Sequence, residues 1–207
     1  MLTKNINLKS FKSNFETLST QKNLKNLLRD QPKFFESLKP TYKYSYSKKK
    51  LSKFKKISNI RIIGMGGSVL GSEAIYNFLK KKIKKKITFV NNLNSNDNYF
   101  YDKNINLNLI ISKSGNTLET IVNANTLIKK REKNIIITEA KNNYLTNLAV
   151  KLRAEIFEHK NYIGGRYSVL SEVGMLPAEL MNLNEKNFKQ FNNLIKNKTF
   201  VSNLINN

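Results

Sequence analysis

The sequence contains no cysteine, a single histidine, and far fewer acids than bases: 14 Asp and Glu against 37 Lys and Arg. Without cysteine there is no disulfide and no thiolate metal site. No apolar run is long enough to span a bilayer. The stretch from Met1 to Phe15 mixes Lys and Asn with scattered apolar residues and has no secretory hydrophobic core. The cytoplasm is therefore the expected location. Arginine is scarce as well, confined to Arg29, Arg61, Arg131, Arg153 and Arg166. That scarcity weakens a nucleic-acid reading of the +23 net charge, because bidentate base contacts are arginine chemistry. The lysine clusters 48–50, 80–86 and 129–131 read as solvated helix ends and loops, with no specific nucleic-acid partner. A weak, long-range attraction to polyanions is all that the charge implies.

What is present is an ordinary globular composition. Apolar residues make up 40% of 207 positions, enough for one sizeable core. Residues 1–57 are polar and basic, and read as an amino-terminal helical arm. In it Leu24, Leu27 and Leu28 share a helix face, as do Phe34, Phe35 and Leu38 before Pro40. Tyr42, Tyr44 and Tyr46 alternate, as in a short extended piece. From residue 58 the pattern changes. Short β-rich runs at Ile60–Ile63, Ile87–Val90, Leu107–Ile111, Ile135–Thr138 and Ala154–Phe157 alternate with helical stripes. Those stripes span Val69–Leu79, Leu118–Ile128 and Tyr144–Leu152. Such alternation predicts an α/β fold, a doubly wound and mostly parallel five-stranded sheet with flanking helices. The predicted division is 58–183 for this α/β domain and 184–207 for an amphipathic helix bearing Phe188, Phe191, Leu194 and Ile195.

Ligands of such sheets bind at the carboxyl ends of the strands. Three loops there carry chemistry. The first, Gly64-Met65-Gly66-Gly67-Ser68-Val69-Leu70-Gly71, lets backbone amides approach an anion at a helix start. It is not a dinucleotide fingerprint, because Val69 stands where a glycine is needed and Asn91 and Asn92 where an acid is needed. It is not a P-loop, because Ser72 rather than Lys follows Gly71. A tight turn with no ligand is the alternative. The second, Ser112 to Thr120, reads SKSGNTLET. Its three hydroxyls, Ser112, Ser114 and Thr117, lie within six residues beside free amides at a helix start, a competent phosphate cradle. The alternative is an ordinary helix cap by Ser114 or Asn116, which accounts for one hydroxyl rather than three. The third, Gly164-Gly165-Arg166-Tyr167-Ser168, lets a guanidinium emerge from a close turn and oppose a developing oxyanion. The alternative is an ion pair from Arg166 to a nearby acid such as Glu172.

These three motifs, GMGGSVLG at 64–71, SKSGNTLET at 112–120 and IGGRYSVLSEVGMLP at 163–177, resemble the glucose-6-phosphate isomerase family, whose loops occur in the same order. The first two also occur more loosely across sugar-isomerase-type domains, whereas the third is specific to this family. The likeness runs from about Ile60 to Met181. It implies interconversion of glucose 6-phosphate and fructose 6-phosphate through a cis-enediol(ate), with no metal and no organic cofactor. By that resemblance Ser112, Lys113, Ser114 and Thr117 bind the phosphate. Gly67, Ser68 and Gly165 contact the sugar, and Arg166 stabilises the enediolate. Asn116 and Met65 depart from the residues usual at their positions without removing an assigned hydroxyl. The family's proton-transferring glutamate, ring-opening histidine and late lysine lie well beyond the GGRYS motif. The general base is therefore not expected in this chain, which reads as truncated at its carboxyl end. Glu172, Glu179 and His159 take no catalytic role in this reading. The family resemblance also implies a homodimer at full length.

Overall fold

The computed structural model describes residues 18–30, 32–93, 105–129, 131–189 and 200–201. Among these, five strands form one parallel sheet: β1 Asn59–Gly64, β2 Lys86–Val90, β3 Leu107–Ile111, β4 Lys133–Thr138 and β5 Glu155–Glu158. Their order is β2-β1-β3-β4-β5. The central strands are near-continuous apolar runs because helices cover both their faces, so every side chain needs an apolar environment. All five residues of β3 are buried, whereas the edge strands β2 and β5 each keep exposed positions. Ile156, on edge strand β5, is exposed for this reason.

Among the described residues six α-helices accompany the sheet: α1 Leu18–Asp30, α2 Lys48–Leu51, α3 Leu70–Leu79, α4 Leu118–Leu127, α5 Tyr144–Leu152 and α6 Glu172–Leu180. Strand residues split between the two faces with period 2. Ile62, Leu109, Ile135 and Ile137 join Ile75, Val173, Leu176 and Leu180 of α3 and α6 in one core. Ile63, Ile110 and Ile136 join Ala124, Leu127, Leu145 and Ala149 of α4 and α5 in the other. The sheet is thus covered on both sides, as the alternating pattern predicts.

The predicted strands and the helices α3, α4 and α5 appear within a residue or two of their expected bounds. Helix α5 starts at a capping box, with Asn143 accepting from the Thr146 amide and Thr146 reaching back to the Asn143 amide. It stops at Arg153, which adopts a left-handed φ of 50°. Helix α6 shows no clear stripe in sequence because all nine of its residues are buried.

The amino-terminal region differs from expectation in detail. α1 forms, yet Leu27 on its apolar face is exposed. Phe34, Phe35 and Leu38 lie on a 3-10 helix, Lys33–Leu38, rather than an α-helix. Tyr42, Tyr44 and Tyr46 form no strand, but their alternation does bring their rings together, with centroids 5.0 and 4.9 Å apart along the series. Tyr46, Leu51 and Phe54 are buried in the same core as the sheet. The expected helix from Asn184 begins as a 3-10 turn, Glu185–Lys189. Most of its remainder, including Phe191, Leu194 and Ile195, lies outside the described residues. Among the described residues no helix is long and apolar enough to cross a membrane.

Candidate active site

The chain leaves β1 for β2 on one side, then returns to place β3 on the other side of β1. The carboxyl ends of β1 and β3 therefore flank the point where the winding direction reverses, the natural crevice of an open parallel sheet. Gly64, at the end of β1, pairs in register with Ile111, at the end of β3. The first and second loops start from these two positions and so emerge side by side. Seven of the eight glycines sit in the three loops read from sequence, with Gly174 the eighth.

The second loop is built mostly from its own residues. The Ser112 and Thr117 hydroxyls lie 2.8 Å apart, and Ser114 Oγ lies 3.5 Å from Thr117 Oγ1. The three hydroxyls predicted to act together therefore converge on Thr117. Ser112, only 2% exposed, forms the floor, and its hydroxyl also accepts from the Gly115 amide at 3.2 Å. Ser114 is exposed and Thr117 half-buried. Gly115 makes the turn with φ of 70°, and a Cβ there would run into the Asn143 side chain.

Neither Ser114 nor Asn116 caps α4. Thr117 occupies the cap position, and its side chain makes no capping hydrogen bond. Ser114 Oγ is turned onto the Asn116 amide at 3.2 Å, while Asn116 Oδ1 accepts from the Tyr144 amide at 2.9 Å. The start of α4 is thus left to whatever acceptor approaches it, with its dipole favouring an anion. Lys113 points away from the hydroxyls: its Nζ donates to the Asn161 carbonyl at 2.5 Å and lies 3.8 Å from Glu139.

The third loop is a 3-10 helix, Gly165–Leu170, folded against the first. Ser168, fully buried, directs its hydroxyl at the Gly67 and Gly165 carbonyls, at 3.1 and 2.7 Å. A Cβ on Gly67 would collide with the Gly165 backbone, so only glycine lets the two loops meet. Between them opens a cleft of about 490 Å³, lined by Gly67, Leu70, Ala74, Gly165, Arg166 and Val169 among others. Of the sequence-predicted site residues, the cleft brings together Gly67, Gly165 and Arg166. Ser68, Ser112, Ser114 and Thr117 belong to the adjoining loops rather than to its lining. Arg166 is exposed and makes no ion pair among the described residues.

Glu172 is not the partner of Arg166. It is fully buried and accepts from the Tyr42 hydroxyl and the Ser45 amide, both at 2.8 Å. Those bonds belong to a strap, residues 32–46, that crosses the third loop. Phe34 stacks on Tyr167 at 4.7 Å, and the Tyr44 hydroxyl donates to the Leu170 carbonyl at 3.3 Å. Sequence reading missed this strap and Ser168. The tyrosine alternation pointed to a short extended piece but not to what it holds.

The other unassigned groups stay outside the cleft. Glu179 pairs with Lys48 and Lys55 at 3.4 and 3.5 Å, and burial raises its carboxyl above the usual range. His159, 2% exposed, follows β5, and its amide donates to the Thr138 carbonyl. Burial holds its imidazole below the usual value; the Lys160 carbonyl and Glu139 oppose that shift, and Lys113 adds to it. Among the described residues no group of three or more His, Cys, Asp or Glu could hold a metal ion.

The geometry so far defines a class: a doubly wound α/β domain with a glycine-rich cleft at its switch point. A hypothetical protein from Thermus thermophilus has the same fold, with a TM-score of 0.71 at 18% identity over 91% of this chain and 51% of that one. Residues 25–203 match the phosphoglucose isomerase family, and the chain belongs to that family. A glucose-6-phosphate isomerase from Methanocaldococcus jannaschii is 37% identical over 140 residues, 61% of this chain and 34% of that protein. One from Acholeplasma laidlawii is 38% identical over 142 residues, 59% of this chain and 33% of that protein. One from onion yellows phytoplasma is 34% identical over 159 residues, 64% of this chain and 37% of that protein. The matches span about a third of the length of these relatives.

Proposed function

We propose that this chain binds hexose 6-phosphate and supplies the phosphate grip and the oxyanion-stabilising cation of an isomerase. The reaction is interconversion of glucose 6-phosphate and fructose 6-phosphate, a step of glycolysis and gluconeogenesis in the cytoplasm. The observation that carries the reading is the convergence of Ser112, Ser114 and Thr117 at the uncapped start of α4, on a loop that leaves β3 beside the β1 end from which the Gly67 loop of the Arg166 cleft starts. Hydroxyls and helix-start amides suit a phosphate, since they donate without adding a fixed charge. Ser114, Thr117 and the first α4 amides meet the phosphate oxygens, and Ser112 braces Thr117 from below. The Lys113 amide supports the same grip. Gly67, Ser68 and Gly165 face the sugar.

In the open-chain sugar a base removes the C2 proton as negative charge moves to the carbonyl oxygen at C1. Arg166 offsets that charge in the enediolate. Return of the proton at C1, with the O2 proton passing to O1, gives the ketose. The base in this reading lies downstream, and in support none of the described residues that line the cleft is an acid or a histidine. In this reading residues 58–183 are the sugar-phosphate-binding domain. Residues 184–207 lead to a second domain carrying the Glu, His and Lys, and the complete protein is a homodimer. Because the cleft lacks a base, a second reading applies to the isolated chain: binding without turnover.

The test is calorimetric titration of the 207-residue chain with fructose 6-phosphate. The expected outcome is saturable binding, no aldose–ketose exchange by NMR, and roughly ten-fold weaker binding for Thr117→Val. Unchanged affinity in Thr117→Val removes the second loop from the account. In the complete protein, Arg166→Ala is expected to lower kcat far more than it raises KM. Equal effects on both would contradict the enediolate role.

A further inference from the structure

The strap and the peptide leading into the third loop enclose a second cleft of about 400 Å³, at the carboxyl end of edge strand β5. It is separate from the cleft that holds Arg166, and β4 lies between β5 and the β1–β3 switch point. Three lysines line it, Lys39 and Lys43 from the strap and Lys160 from the loop, together with Thr41 and the rings of Tyr42 and Tyr162. The lone acid in the lining, Glu36, is engaged: it accepts from the Tyr162 hydroxyl at 2.6 Å. Tyr42 is engaged likewise, on Glu172. Both rings are therefore fixed walls. Lys39 and Lys43 are exposed and form no ion pair among the described residues. Lys160 pairs with Glu158 at 2.6 Å, leaving its other two ammonium protons to donate elsewhere.

We propose that this cleft is an effector site for a small phosphate-bearing anion of at least two negative charges. Its volume falls in the range of small-ligand pockets, and it combines apolar walls with a few convergent donors. The high charge of the chain makes scattered lysines commonplace, and only their arrangement distinguishes this cleft. Lysines from segments more than a hundred residues apart meet across one concavity, where three of them outnumber the single acid, Glu36, whose carboxylate is turned onto the Tyr162 hydroxyl. The cleft of about 250 Å³ beside Lys53 and Arg153 shows the contrast. There two acids, Glu132 and Glu155, stand against three bases, whereas one acid stands against three lysines in the cleft under the strap. An anion bridging Lys43 and Lys160 ties the strap to the loop that continues into Arg166. Its binding therefore stiffens the third loop. This goes beyond the sugar-phosphate reading and does not depend on it.

The test uses pyrophosphate on the 207-residue chain, at fixed ionic strength. Two variants are compared: Lys39→Ala with Lys43→Ala and Lys160→Ala, and the charge-matched control Lys80→Ala with Lys81→Ala and Lys82→Ala. The expected result is binding weakened by at least about ten-fold in the first variant and little changed in the second. Equal loss in the charge-matched control would reduce the effect to general charge and overturn the proposal. No loss in the first variant would place pyrophosphate elsewhere on the chain and overturn it too. In the unaltered chain, pyrophosphate is expected to protect Lys39, Lys43 and Lys160 from amine-directed labelling. Labelling unchanged at all three would overturn the proposal without recourse to any variant.

Discussion

The second and third loops reach the same end of the sheet by different means. The second is locally encoded: Ser112, Ser114, Gly115, Asn116 and Thr117 bond mainly among themselves and to the start of α5. The third depends on residues far away in sequence. Its Tyr167 stacks on Phe34, the Glu172 that follows it is held by Tyr42 and Ser45, and the Gly67 carbonyl accepts from its Ser168. A phosphate grip that tolerates one geometry can be written into a single short loop. In the proposed function Arg166 is a cation that must face a reacting carbon, and the loop that carries it is positioned by distant parts of the fold, which makes it vulnerable to changes more than a hundred residues away.

Breaking the strap should produce the largest effect. Glu172→Ala leaves the half-buried Tyr42 hydroxyl and Ser45 amide without their acceptor, and is expected to cost about 3 kcal/mol in urea unfolding. Hydrogen exchange should accelerate across 164–171 while 112–117 stays protected. Equal acceleration in both loops would erase the distinction between them. Gly115→Ala attacks the local loop instead, through its positive φ and a clash with Asn143, at about 2 kcal/mol. Its exchange signature should be the reverse. Phe34→Ala, which removes the ring on Tyr167, should cost about 1 kcal/mol and loosen only the third loop.

The smallest effect is a pH dependence from His159. Its folded pKa lies below the usual value of 6.5, so between the two values the unfolded chain binds more protons. The contribution of the neutral, buried ring is therefore complete above pH 6.5 and is lost as pH falls toward the folded value, with a slope of at most about 1.4 kcal/mol per pH unit. His159→Gln should flatten that slope. An unchanged profile would assign the pH dependence to other groups.

This contrast explains what could be read from the sequence. Strand and helix positions were legible because central strands such as LNLII must be apolar nearly throughout, and α5 announces itself with Asn143 and Thr146. The hydroxyl cluster was legible because its members are neighbours in the chain. The pairing of Gly67 with Gly165 was not legible, since nothing in either glycine pair encodes their contact. Ser114 and Asn116 were candidate helix caps because composition cannot tell a cap from a loop brace. The strap was hidden for a similar reason: Phe34, Tyr42 and Ser45 sit in a basic stretch with no strong period, and their partners lie beyond residue 166. Burial of α6 on all sides likewise removed the stripe that would have marked it.

The most direct test is a crystal structure of the chain soaked with fructose 6-phosphate. The account predicts the phosphate within hydrogen-bond reach of Ser114, Thr117 and the first amides of α4, and the carbonyl end of the sugar facing Arg166. A phosphate held elsewhere, with the second loop empty and Arg166 out of reach of the sugar, would contradict it.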